Sequence, residues 1–334
     1  MSATEEKTIL NLNGIASVEP PSDGSIHFRR RFDGGWMLSS GGDLEPIWNA
    51  CRRIDFAFQK RIMKGVNYAS LVYALPMYVV NAGLNSEAPV SRDMFAKLLK
   101  LPIEIPERNR FLYLHDCERL TWSVRQCVEE IQEILAAFYA VFNAPSLTGG
   151  PPLKSDGVVF SRSPKVTQLF ANLSFIFIRL HSLLDYCVKL AIEAARPPAA
   201  FRNYKRMASR GLQFGDRKKV TWNGSQGTLF EDCELVRTVE TLRNHIVHDG
   251  LLDALPKVYE RYIEGALVER FILFPDMTGG RLDSFVNRNL FYGREDKVNL
   301  RLTALISEFW NRLAETLRMI EADLSPADGA ANPA

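Results

Sequence analysis

Apolar residues recur at helical spacing along most of the chain and give way to strand-like alternation in a few short stretches. A small hairpin is predicted by 27–32 and 36–38 around the Asp33-Gly34-Gly35 turn. From Asp43, an N-cap with Pro46 in the first turn, the helical period predicts helices over 44–65, 68–83, 91–100 and 107–143. In the last of these, Val124, Val128, Ile131, Ile134, Leu135 and Phe138 form one stripe. A second helical block follows. It holds a helix over 166–195 that stops at Pro197-Pro198, one over 228–248 that stops at Gly250 as its C′ glycine, and one from 297 to 322. Between 258 and 292 the residues turn β-branched and aromatic around Gly279-Gly280, which predicts short strands such as 267–274 and 285–291.

The pattern predicts a mainly α fold: a helical bundle with a helical N-terminal half and a small antiparallel β insertion near 258–292. The expected division is a mobile N-terminus with the hairpin over 1–42, helices over 43–145, a linker over 146–165, a second helical domain over 166–323 and a disordered tail over 324–334. The linker rests on three prolines and a Gly-Gly within 144–156.

Composition narrows the function classes. With 46% hydrophobic and 24% charged residues and a net charge of +2, the chain reads as globular, and any nucleic-acid footprint has to be local. The cysteines at 51, 117, 127, 187 and 233 lack the spacing of a zinc or redox pair, so packed thiols in a reducing compartment are expected, with no metal. The first residues have no apolar signal segment, and the most apolar stretch, 169–192, is broken by Arg179, His181, Asp185 and Lys189. A cytoplasmic chain without membrane contact or cofactor is the expectation. Nor is there a Walker or Rossmann glycine pattern for nucleotide binding.

The most function-like stretch is Thr241-Leu242-Arg243-Asn244-His245-Ile246-Val247-His248-Asp249-Gly250. An arginine four to six residues before a histidine is weak by itself, since five histidines among many arginines give roughly one such pair by chance. Arg110 indeed stands in that relation to His115. Three features separate the later pair. A polar Asn244 follows Arg243, His248 sits at a helix end, and Arg243 falls within an apolar arc.

That arc is drawn by Leu235, Val239, Leu242 and Ile246, widened by Val236 and Val247, and Arg243 lies about 40° from Val239 on a helical wheel. A charge there calls for a partner, and the structural alternative is an ion pair with Asp185. Asn244 and His248 share a face, so the amide could orient the imidazole. Arg243 and His248 point about 140° apart on one regular helix, so a shared cleft between two copies is needed to bring both onto one phosphate. For His245 and His181 a non-catalytic place in the packing is expected.

These residues resemble the R-x4-H motif of HEPN-superfamily ribonucleases. The likeness covers roughly 166–250, with a first helix bearing Phe177-Ile178-Arg179-Leu180-His181-Ser182-Leu183-Leu184-Asp185-Tyr186. The resemblance implies a helical bundle that forms a homodimer around the motif and, in active members, cuts RNA without metal. It implies His248 for proton transfer at the ribose 2′-OH or the leaving oxygen, Arg243 on the scissile phosphate, and Asn244 as polar support. It further implies a link to toxin–antitoxin or antiviral defence, with an antitoxin or other protein partner. Some members are catalytically silent and act as dimerisation or adaptor modules for a protein or RNA.

A basic stretch points to RNA independently. From 196 to 220 there are eight basic residues against the single acid Asp216. Arg202, Lys205, Arg206, Arg210, Arg217, Lys218 and Lys219 are the candidate RNA-binding groups, with Phe201, Tyr204, Phe214 and Trp222 interleaved for base stacking. The plain alternative is a solvated basic loop or a protein-docking surface.

Overall fold

The helices begin and end where local chemistry allows. A computed structural model describes residues 8–40, 43–101, 107–148, 156–220 and 224–324. Helix α1 (Glu45–Ile62) starts after Asp43, whose Oδ1 accepts from the Glu45 amide at 3.0 Å. The stretch expected as one helix over 68–83 is two, α2 (Tyr68–Ala74) and α3 (Met77–Val80). Pro76 forces the break, because the residue before a proline is driven out of helical geometry, and Leu75 is extended at φ −94°, ψ 118°. Ser91 caps α4 (Arg92–Lys100) by accepting from the Met94 amide at 3.2 Å. The long helices are α5 (Arg108–Phe142), α6 (Pro164–Ala195) and α8 (Val298–Leu324), and α7 spans Glu234–His248. Among the described residues no helix is long and apolar enough to cross a membrane.

The strands depart further from expectation. Strand β1 (Ile9–Asn11) lies in the stretch expected to be mobile; it pairs with β2 (His27–Arg30), which pairs with β3 (Trp36–Leu38). Ile9 and Leu10 are buried, and that apolar contact holds the segment. A second antiparallel sheet has the order β4 (Gly157–Ser161), β5 (Val258–Ile263), β6 (Ala266–Phe271). Thus part of the expected linker is a strand, paired with a segment about 100 residues away. The stretch 285–291 forms a tight turn closed between Phe285 and Arg288 instead of the expected strand. Met277–Thr278 (β7) and Arg281–Leu282 (β8) form the turn at Gly279-Gly280. Glycine is required there: Gly280 has φ +82°, and a Cβ on it would meet the Glu234 carbonyl oxygen at 2.5 Å.

The chain divides into two compact units, and they cut across the expected domain boundary at 146–165. Unit 1 comprises Met1–Ile47, Gln126–Leu184 and Gly224–Thr316; unit 2 comprises Trp48–Arg125, Asp185–Asn223 and Leu317–Ala334. Helices α1, α5, α6 and α8 each run on across a boundary and carry the chain from one unit to the other, so most of the division falls within helices and not in loops. The expected tail over 324–334 lies almost entirely outside the described residues.

In unit 1 the core is aromatic: Phe28 lies 4.7 Å from Tyr139, and Phe138 stacks on Phe142 at 5.5 Å. Buried within it is an ion pair, Arg270 Nε to Glu260 Oε1 at 2.9 Å. The rest of the guanidinium donates to the carbonyls of Gly14, Phe142, Ala144 and Pro145. Glu260 accepts in addition from Ser161 Oγ at 2.7 Å. Such burial is tolerated because every polar group is used. In unit 2 the fully buried Glu193 accepts from the Tyr113 hydroxyl and from the Ser209 amide.

Candidate functional site

Helix α7 ends as its sequence suggests. Asp249 caps it, the amides of Asp249 and Gly250 both donate to the His245 carbonyl at 2.8 and 3.0 Å, and Gly250 takes φ +127°. The side chains on this last turn fall differently from the expected stripe. Leu235, Val236, Thr238, Val239, Leu242 and His245 are buried, whereas Ile246 is half-buried and Val247 is 47% exposed. His245 thus takes the seat near the helix end that the wheel assigned to Ile246. Its Nε2 lies 3.2 Å from the Leu251 carbonyl, so this nitrogen carries the proton in the neutral ring. Nδ1 is then an acceptor, 3.6 Å from Asp249 Oδ2 and without a hydrogen-bond partner.

Arg243 is half-buried, and Asn244 and His248 are exposed. Arg243 Nη1 donates to Asn244 Oδ1 at 2.9 Å, and among the described residues the guanidinium makes no ion pair. The carboxylate partner expected for it is therefore not needed: the group reaches water at the helix end, where the arc opens. Asp185, the expected partner, accepts from the Phe214 amide at 2.7 Å and so anchors the basic segment. The amide expected to orient His248 instead holds Arg243. Neighbouring residues of a helix can meet in this way when a long side chain folds back over a short one. Around the motif, Val247, Leu251 and Leu255 are 47%, 41% and 57% exposed.

Arg243, Asn244 and His248 belong to unit 1 and the basic segment to unit 2. Within the segment, Arg202, Arg206, Arg210, Lys218 and Lys219 are exposed, and Lys205 and Arg217 are half-buried. A 3₁₀ turn, Phe214–Lys219, bears the last three. Arg217 stands 4.3 Å over the Phe214 ring, and Lys219 pairs with Asp216 at 2.7 Å. Two of the described aromatic residues, Phe201 and Phe214, are committed to packing. Phe214 is 1% exposed, Phe201 lies against Tyr113 at 5.5 Å, and the Tyr204 hydroxyl donates to Asp116. Phe214 and Phe201 are not free platforms for bases, contrary to the expected stacking role, whereas Tyr204 is exposed; Trp222 lies outside the described residues. Apolar rings in a polar segment are buried when a core is within reach, and the sequence does not show that reach.

Sequence reasoning passed over one titratable group in unit 2. Burial, reinforced by the nearby Glu118 carboxylate, pushes the Asp55 carboxyl up to about 7, against the Thr121 hydroxyl and Arg125, which favour its ionised form. Four residues earlier on α1, burial pushes the Cys51 thiol up to about 12. Their spacing puts both on one helix face, but depth of burial is not written in spacing.

Comparison of the chain with protein-family models, with curated proteins and with solved structures finds no match.

Proposed function

We propose that the chain is a metal-independent endoribonuclease of the HEPN kind, acting in a cleft formed by two copies. One observation carries this reading: the last turn of α7 presents an exposed imidazole, His248, beside a guanidinium that Asn244 holds and that no carboxylate among the described residues neutralises. Arg243 keeps most of its donors for a phosphate, since a single Nη1 bond goes to Asn244. His248 takes the proton of the ribose 2′-hydroxyl. The 2′-oxygen then attacks phosphorus, the bond to the 5′-oxygen breaks, and that oxygen leaves with a proton. The products are a 2′,3′-cyclic phosphate and a 5′-hydroxyl, so atoms balance without a co-reactant. Arg243 meets the extra charge of the pentacoordinate transition state. The two groups diverge on one helix, and the exposed Val247, Leu251 and Leu255 supply an apolar surface on which a second copy can bring them together.

The same apolar trio favours a second reading: a silent HEPN-like module that uses this helix end to pair copies or dock a protein or RNA partner. A role in antiviral or toxin–antitoxin systems is part of either proposal. RNA incubated with EDTA and with the parent chain, His248→Ala or Arg243→Ala separates them. Cleavage by the parent and its loss in both variants supports the nuclease; equal outcomes for all three proteins sink it.

A further inference from the structure

On the solvent side of the β4–β5–β6 sheet, Val158 and Phe160 of the edge strand are 51% and 56% exposed. Phe160 is the cross-strand partner of Tyr259, which is in turn the partner of Phe271, so one ring from each strand stands in a row. Tyr259 and Phe271 stack on each other at 5.1 Å and 11°. Phe160 has no such neighbour among the described residues. Residues two apart on a strand share a face, and Arg162, two beyond Phe160, places its guanidinium 5.2 Å from that ring. Arg261 and Lys297 lie 5.9 and 4.7 Å from the Phe271 ring. The acid on this face, Glu269, is taken up by Lys297 and Arg261. Arg162 makes no ion pair among the described residues.

An exposed ring with one guanidinium beside it that makes no ion pair among the described residues matches the two halves of a nucleotide, an apolar base and an anionic phosphate. It suits strand-on-strand pairing poorly, because basic side chains at a sheet edge oppose the approach of another edge. We infer that this face binds single-stranded RNA, with a base stacked on Phe160 and the adjoining phosphate on Arg162. The choice of RNA rests on the function proposed above; the stacking requires no cleavage.

The test is fluorescence anisotropy with a labelled twelve-nucleotide adenine RNA, in a His248→Ala background so that the probe stays intact. Phe160→Ala weakens binding from about fivefold to about a hundredfold, the usual worth of one stacked base. Phe160→Leu is as weak as Phe160→Ala, and Phe160→Trp restores affinity, because a ring and not mere apolar area is needed. Arg162→Gln lowers the salt dependence by roughly 0.7 of a log unit per log unit of salt. Phe160 is exposed, so melting curves of these variants match the parent. Absent binding by the parent, unchanged affinity in Phe160→Ala, or Leu performing as well as Phe overturns the inference. So does a change in self-association with RNA affinity unaltered, which would make the face a contact between copies. Failure of the intact chain to cut RNA removes the nuclease reading and leaves this binding series standing.

Discussion

Arg243 Nη1 donates to Asn244 Oδ1 at 2.9 Å, tying together two successive side chains on the last turn of α7. The bond makes Asn244 a positioning residue for the guanidinium. It thereby joins Arg243, which helical phase turns about 140° away from His248, to Asn244, which lies on the face of His248.

Asn244→Ala is expected to lower RNA cleavage about tenfold, the worth of roughly 1.4 kcal/mol. Its effect acts through Arg243, so Asn244→Ala combined with Arg243→Ala is no slower than Arg243→Ala alone. A double-mutant cycle on cleavage rates decides it; additive losses would show that Asn244 acts on its own.

Arg270→Ala should cost about 3–5 kcal/mol of stability, because it strands the buried Glu260 and several carbonyls without a donor. Replacing Arg270 and Glu260 together by methionines costs less than Arg270→Ala, since no unpaired charge is left behind. Urea unfolding of the variants measures both.

The carboxyl of Asp55, raised to about 7 in the fold, gives stability a pH dependence of definite sign. Between pH about 4 and about 7 the folded chain holds a proton that the unfolded chain has lost. This group's contribution therefore falls as pH rises through that window and is level above it. Asp55→Asn removes the slope, and melting temperatures of parent and variant converge at acid pH and separate toward pH 8. Parallel curves across the window would contradict this.

Cys51, Cys117, Cys127 and Cys187 are buried thiols, and Cys233 is partly exposed. Burial holds Cys51 and Cys127 up at about 12, far from the thiolate that alkylating reagents need. Iodoacetamide at pH 8 is expected to label Cys233 first in the native chain and all five after denaturation. Peptide mass mapping reads the order; early labelling of Cys51 or Cys127 would refute it.

Much of the fold was legible from spacing. Helices were placed to within a few residues at 45–62, 92–100, 108–142, 164–195 and 298–324, since amphipathic period and proline breaks act over a few residues. The start of α7 was set six residues early, because the Leu229 amide donates to Thr316 Oγ1 while the Thr228 carbonyl and the Glu231 carboxylate accept from Arg312, instead of opening a helix. Strands β1 and β4 went unseen because their partners are remote, Ile9 with Arg29 and Val159 with Glu260.

The candidate site divides in the same way. The end of α7, its Gly250 turn and the charge density of 196–220 follow from the sequence alone, because turn geometry and net charge are local properties. Which histidine is buried, and that Phe201 and Phe214 pack inward while Phe160 stands outside, were settled by tertiary contact; the bond by which Asn244 holds Arg243 is local, but it depends on a side-chain conformation that spacing does not record. Burial depends on what other parts of the chain supply as cover, and residue spacing carries no record of that cover.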